Sequence, residues 1–236
     1  MAEQVKSKQR VADHGEVFTA EREVKAMCDL VKDECERIDS RFLEPACGDG
    51  NFLAEILNRK LNVVKSKYKM SSADYEKYSV IAVTSLYGVE LLTDNTLACR
   101  ERLYKIWNDA YEKNCKGDCN EECRRAVRYI LQRNILNGNA LSMMCVDSDG
   151  NDTDEPIIFS EWSLVTGNMI KRRDFRFDVL LKENTDEDNY EMQFSLFDDS
   201  PTYSDYWEID PETGNTIPKA IAEYPLIDYR KIGEDV

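Results

Sequence analysis

The architecture of this chain is most readable in Arg41-Phe-Leu-Glu-Pro-Ala-Cys-Gly-Asp-Gly50, which runs directly into Asn51-Phe-Leu-Ala-Glu-Ile-Leu57. Phe42 and Leu43 indicate a short buried strand, and the glycines after them indicate a turn that opens a helix. Glycine allows the backbone to approach a ligand closely, and the first N–H groups of a helix favour an anion. The stretch therefore predicts a strand, a ligand-binding turn and a helix in that order.

Further helices and strands are predicted on both sides of this stretch. A first helix is predicted over about residues 20–37, with Thr19 as its N-cap. Apolar periodicity predicts further helices at 52–61 and 97–107, and a cap at Ser71 predicts a helix over 71–84. A helix is also expected at 124–131, and strands are expected at 86–90 and 134–136. Strands that alternate with helices favour a parallel sheet. We therefore predict an α/β fold with a doubly wound, Rossmann-like sheet, helices on both faces and an N-terminal helical segment.

The pattern changes after Met144, and the acidity of the chain is concentrated further on. A polar loop is predicted at 147–155, a strand at 156–165, an acidic stretch at 184–189 and a hairpin over about 206–217. The net charge is -15, of which residues 174–236 contribute -12 through 17 acidic and 5 basic residues. These observations predict a domain at 1–173 and an irregular, β-leaning acidic extension at 174–236. A surface this negative opposes direct binding to DNA phosphates.

Cysteine usage and hydropathy point to a soluble, cytoplasmic protein. The chain has eight cysteines, no apolar run long enough to cross a membrane, and no signal peptide that would send it to an oxidising compartment, so free thiols are expected. Cys115, Cys119 and Cys123 have helical spacing and could share a metal with Cys99, but structural zinc sites favour the CxxC spacing, and we predict no metal. With His14 as its single histidine, the chain is not expected to use a histidine-dependent triad.

Three predicted strand ends carry residues suited to one ligand. In doubly wound sheets, ligands bind beyond the carboxyl ends of the strands. After the first strand, Glu44 could pair with an ammonium group, while Gly48 and the helix N-terminus suit a carboxylate; a phosphate would want Lys or Arg in this loop. Glu90 could accept hydrogen bonds from two ribose hydroxyls, and the amide of Asn139 could pair with an adenine edge. Amino acid, ribose and adenine together describe S-adenosylmethionine.

Glu44-Pro-Ala-Cys-Gly-Asp-Gly-Asn-Phe52 resembles the first motif of the N6-adenine DNA methyltransferases of restriction-modification systems, and Gly15-Glu-Val-Phe-Thr19 resembles the segment that precedes it in that family. Residues 88–91 and 137–141 fit the second and third cofactor motifs, so the resemblance covers about residues 11–145. It implies that the upstream segment closes over the cofactor, with Thr19 at the methionine end and Phe18 packed nearby. The cofactor residues it implies, together with the strand ends, are Phe18, Thr19, Glu44, Pro45, Ala46, Gly48, Gly50, Phe52, Glu90 and Asn139.

The sequence departs from the family at two positions. Asn139 stands where the family usually has Asp, and the catalytic Asn/Asp-Pro-Pro-Tyr motif is missing, because all six prolines are isolated. That motif supplies hydrogen-bond acceptors and a stacking ring to a flipped adenine. The nearest match is the segment 164–171, with Asn168 as the candidate catalytic residue and Lys171 in place of the ring. An ordinary strand end followed by a basic turn explains this segment equally well.

Three functions remain open from the sequence. The first is an adenine-specific DNA methyltransferase, or its cofactor-binding subunit, in which a protein partner is needed for DNA recognition. The second is a catalytically inactive module that keeps the methyltransferase fold and works by protein interaction. A third is a methyltransferase for a small molecule or a protein. The basic residues Lys171, Arg172 and Arg173 are predicted to pair mainly with the acidic tail rather than with DNA.

Overall fold

The computed structural model describes residue 10 and residues 19–181, 207–209, 211 and 214–234. Its central sheet has the strand order β1 (Phe42–Glu44), β2 (Leu86–Glu90), β3 (Ile135–Asn139), β4 (Met144–Val146) and β5 (Asp152–Pro156). The first three strands are parallel, and β4 and β5 extend the sheet as an antiparallel hairpin. The α/β class is therefore confirmed, with a mixed sheet in place of the parallel one that the sequence predicted.

The helices connect these strands as the apolar periodicity predicted. The described helices are α1 (Glu21–Leu30), α2 (Lys32–Cys35), α3 (Asn51–Tyr68), α4 (Ser72–Thr84), α5 (Thr93–Cys115), α6 (Glu121–Asn134) and α7 (Phe177–Leu181). Ser71 caps α4 by accepting a hydrogen bond from the N–H of Asp74, as predicted. The prediction for the first helix was wrong in two details. Its N-cap is Ala20 rather than Thr19, and the helix is interrupted at Val31, whose backbone leaves the helical region.

The two faces of the central sheet are covered by different kinds of structure. Leu86 belongs to a large apolar cluster that includes residues of α3, α4, α5 and α6. Its neighbours Tyr87 and Val89 belong to a second cluster, with Ile157, Phe159 and Phe177. In the part of the chain that the structure describes, the long helices thus cover one face and Ile157, Phe159 and Phe177 pack on the other, whereas the sequence predicted helices on both.

The second sheet joins the acidic extension to the rest of the protein. It is built on the hairpin of β6 (Ile158–Thr166) and β7 (Met169–Arg176), onto which two short strands pair antiparallel from the other side, β10 (Ala222–Glu223) and β11 (Ile227–Asp228). The predicted boundary between residues 173 and 174 therefore lies inside β7. The predicted C-terminal hairpin is present as β8 (Trp207–Ile209) and β9 (Thr216–Pro218), and the predicted acidic stretch 184–189 lies outside the described residues.

The structure also bears on the predicted loop at 147–155, on the cysteine group and on membrane spans. The loop predicted at 147–155 is partly regular, since β5 begins at Asp152 and pairs with β4. Among the described residues no cluster of three or more histidine, cysteine, aspartate and glutamate side chains is arranged to hold a metal, and Cys99 lies against Gly50 in the core. No described helix has both the length and the hydropathy of a membrane span.

Candidate functional site

The carboxyl ends of β1, β2 and β3 open into one cavity of about 530 Å³. Because the three strands are parallel and adjacent, the loops after them meet at the same edge of the sheet. Eight of the predicted cofactor residues are in its wall: Thr19, Glu44, Pro45, Ala46, Gly48, Phe52, Glu90 and Asn139. The predicted residue Phe18 lies outside the described residues, and Gly50 is not part of the wall. The structure thus brings together residues that are far apart in the sequence.

The loop after β1 is held against the end of β2 by backbone hydrogen bonds. The N–H of Cys47 donates to the carbonyl of Val89 at 3.0 Å, and the N–H of Gly48 donates to the carboxylate of Glu90 at 2.9 Å. Gly48 has a φ of 54°, in the left-handed region where glycine is favoured. The N–H of Gly48 is therefore engaged by Glu90 and is not open to a ligand carboxylate, although the sequence had suggested that it would be.

Gly50 serves packing rather than the ligand. Its φ is 89°, and a Cβ placed on it would lie 2.7 Å from the Sγ of Cys99 in α5. Helix α3 begins at the next residue, and the N–H of Ala54 donates to the carbonyl of Gly50. The second glycine of the motif is therefore needed for close contact between the start of α3 and α5.

Glu90 is buried at the end of β2 and is oriented by three donors. Oε2 accepts the N–H of Gly48, while Oε1 accepts the N–H of Leu92 at 3.0 Å and the Nδ2 of Asn95 at 3.3 Å. A carboxylate has about four lone-pair sites, so its acceptor capacity is not exhausted. The side chain is thus held in one orientation and can still accept a hydrogen bond from a ligand hydroxyl.

Glu44 gives the cavity a second carboxylate. Burial raises its pKa, and a hydrogen bond from the N–H of Ala46 opposes that rise. A cationic group nearby would replace the lost hydration of this side chain. Among the described residues of the wall there are two carboxylates and no Lys or Arg. The cavity therefore favours a ligand with positive charge and disfavours one with several phosphates.

Asn139 lies at the cavity, but its amide has partners within the protein. Its Nδ2 donates to Asp152 at 2.9 Å, and its Oδ1 accepts the N–H of Leu141 at 3.0 Å. The side chain shapes the turn after β3, and pairing with an adenine edge would require it to leave Asp152. Leu141 itself is 94 % exposed at the mouth of the cavity.

The start of the described chain is tied to the same site. The Nδ2 of Asn51 donates to the carbonyl of Thr19 at 3.2 Å, and its Oδ1 accepts from Arg102 at 2.7 Å. Arg102 also pairs with Asp49 in the loop. Thr19 is thus held at the cavity wall through its main-chain carbonyl.

The candidate catalytic residue Asn168 is not brought to this cavity. It lies in the turn between β6 and β7, where its carbonyl accepts the N–H of Tyr229, and it is absent from the cavity wall. The neighbouring basic residues pair within the protein: Lys171 with Glu223, Arg172 with Asp174, and Arg173 with Glu161. The segment 164–171 is therefore an ordinary hairpin turn followed by a basic strand.

Sequence reasoning missed several residues of the site. The Nδ2 of Asn137 donates to the carbonyls of Glu90 and Leu91 and so joins the ends of β2 and β3. The remaining wall residues are Cys47, Asn51, Leu91, Leu92, Asn95, Gly138, Ala140 and Leu141. Their closeness to the predicted motifs was the available signal, because most lie within a few positions of Gly48, Glu90 or Asn139.

Comparisons with protein-family models, with curated proteins and with solved structures returned no match to this chain. The chemistry of the cavity wall is therefore the basis for inferring a function.

Proposed function

We propose that this protein binds S-adenosylmethionine in the cavity at the carboxyl ends of β1, β2 and β3. The observation that carries the proposal is the charge of the wall, in which Glu44 and Glu90 are present and no Lys or Arg occurs among the described residues. S-adenosylmethionine carries positive charge on its sulfonium and ammonium groups and contains no phosphate. Nucleoside polyphosphates and dinucleotides would instead bring negative charge to two carboxylates.

The parts of the cofactor match the parts of the cavity. The first N–H groups of α3 suit its carboxylate, since the N–H of Gly48 already donates to Glu90, and Glu44 suits its ammonium group. Glu90 suits one ribose hydroxyl, because its three protein donors fix its orientation and leave about one of its four acceptor sites open. Leu91, Leu92 and Leu141 offer apolar surface for the adenine ring. When bound, the cofactor would supply an electrophilic methyl group.

We further propose that the protein is a methyltransferase-like subunit of the N6-adenine DNA type, acting with a protein partner. The supporting observations are the motif at 44–52 and the position of Asn168 away from the cavity. An adenine amine needs hydrogen-bond acceptors at the methyl donor, and a partner would supply them together with DNA recognition. A non-catalytic interaction module is the second candidate, favoured by the same placement of Asn168.

Titration calorimetry on the purified chain tests the cofactor proposal. We expect S-adenosylmethionine to bind, and NAD and ATP not to bind, because of the two carboxylates. Glu44→Gln keeps the shape of the side chain and removes its charge, so we expect about tenfold weaker binding of S-adenosylmethionine, roughly 1.4 kcal/mol. Glu122→Gln removes an exposed carboxylate outside the cavity wall and is the matched control. Absence of heat at high micromolar S-adenosylmethionine would reject the proposal.

Methyl transfer distinguishes the two candidate functions. We expect transfer of labelled methyl to DNA adenine only when the chain is combined with its partner protein. Transfer by the chain alone would contradict the need for a partner. Cofactor binding with no transfer in the presence of the partner would favour the non-catalytic module.

A further inference from the structure

A second cavity, of about 430 Å³, runs beside β1 on the side of the sheet where Tyr87 and Phe159 pack. Its wall is mainly apolar, with Leu43, Tyr87, Phe159, Phe175, Leu180 and Ile217. Leu43 is 40 % exposed although it lies in a strand of the central sheet. This groove is separate from the cofactor cavity, but both include residues of β1.

Strand β1 is the last strand of its sheet among the described residues. The N–H of Phe42 donates to the carbonyl of Ser85, and Phe42 and Glu44 lie opposite Leu86 and Gly88 of β2. In a parallel ladder, successive residues direct their N–H and C=O groups to opposite sides. The backbone groups of Leu43 therefore face away from β2, at the sheet edge next to the groove, and an edge of this kind is a template for strand addition.

Charged residues at the groove favour an acidic occupant. Arg41 and Arg173 both form ion pairs with Glu161. Two guanidinium groups share one carboxylate, so the rim carries a local excess of positive charge on a chain whose net charge is -15. An additional carboxylate at the rim would pair with the positive charge that Glu161 does not neutralise.

We propose that the groove binds an extended strand of a partner protein, which adds to the edge of β1. Alternate apolar side chains of that strand fill the groove against Leu43 and Phe159, and an acidic residue of the strand pairs with Arg41 or Arg173. Main-chain hydrogen bonds to Leu43 supply affinity, and the apolar contacts supply specificity. A strand on this edge passes Glu44 and so reaches the cofactor cavity. That consequence rests on the proposed function, whereas docking itself does not.

Photo-crosslinking from position 43 of the full chain, in its host cell, identifies the occupant. With p-benzoylphenylalanine in place of Leu43, we expect a cross-linked peptide from a different protein, with apolar residues at alternate positions. The same group in place of Met70, which is 90 % exposed on another part of the surface, should not yield that peptide. A cross-link to a second copy, to another segment of this chain, or to no peptide would overturn the proposal.

Two variants then test the strand geometry with the identified protein. Leu43→Pro removes the outward N–H and leaves the bonds of Phe42 to β2, so we expect at least tenfold weaker association. Leu43→Val keeps that N–H and should change association by less than about twofold. Equal association by the two variants would exclude strand addition. Calorimetry with S-adenosylmethionine on both variants separates a failure of docking from a failure of the cofactor proposal.

Discussion

Lys60 is the most unusual single residue outside the site, because its ammonium group is fully buried in α3. Its Nζ donates to the carbonyls of Ile38 and Ser40 and, at 2.7 Å, to the hydroxyl of Ser85. These bonds join α3 to the segment before β1 and to the start of β2. Burial lowers the pKa of Lys60 to about 7 from the ordinary 10.5, because the charged form loses its hydration.

This pKa predicts a pH dependence of stability. The unfolded state keeps the proton up to about pH 10.5 while the folded state releases it above about pH 7, so the stability contributed by this position rises with pH between these values. We expect the unfolding free energy of the wild type, minus that of Lys60→Met, to rise by up to about 1.4 kcal/mol per pH unit in this window. Urea unfolding of both proteins at several pH values from 7 to 10 measures this difference in unfolding free energy. A flat difference would show that Lys60 stays protonated in the fold.

At the scale of elements, the start of α3 is the point where the cofactor loop meets the core. Gly50 combines a left-handed backbone with close contact to Cys99, and Arg102 of α5 binds both Asp49 and Asn51. Helix α5 thus determines where α3 begins and how the loop before it is placed. A change at Gly50 should therefore affect both stability and the cavity.

We expect Gly50→Ala to destabilise the protein by about 1–3 kcal/mol. The alanine would have to adopt a strained left-handed backbone, and its methyl group would clash with the Sγ of Cys99. Gly117→Ala is the control, since a Cβ there meets nothing within 4 Å. Thermal or urea unfolding measures both variants. Adding Cys99→Ala to Gly50→Ala should recover part of the loss, and the absence of any recovery would show that backbone strain alone is responsible.

At the scale of the molecule, one buried carboxylate joins the C-terminal segment to the helices. Glu76 of α4 accepts from Tyr111 and Asn120 on one oxygen and from Tyr229 and Arg230 on the other. With β10 and β11 paired to β7, this network attaches residues 222–232 to the body of the protein. The described end of the acidic extension is therefore an integral part of the fold.

We expect Glu76→Gln to destabilise the protein by about 3 kcal/mol. Arg230 would lose its buried carboxylate partner, and the NH2 group of the glutamine would face side chains that are themselves hydrogen-bond donors. Urea unfolding gives the magnitude, and hydrogen exchange at residues 227–232 gives the location. Glu122→Gln, at an exposed position of α6, is the control. Equal stability of the two variants would contradict a role for Glu76 in holding the C-terminal segment.

The sequence was sufficient for much of the local structure and for half of the cavity wall. Apolar periodicity located α3 and α5, which contribute one side to a common core, and the cap at Ser71 located α4, whose second half is buried on all sides. The residues Glu44, Gly48, Glu90 and Asn139 were found because each lies at or just after the end of a strand, and parallel strands bring their ends together. The role of Gly50 was not foreseen, because it depends on Cys99, a contact between residues far apart in the chain.

Local pattern alone thus determined the α/β class, the order of strands and helices up to β3, and the strand ends that line the cavity. The tertiary structure decided the rest: the mixed sheet, the packing of the start of β6 on its second face, the separation of Asn168 from the cavity, and the open edge of β1 among the described strands. The physical reason is that periodicity and capping act within a few residues. Which strands become neighbours depends instead on long-range packing, which no short stretch of sequence encodes.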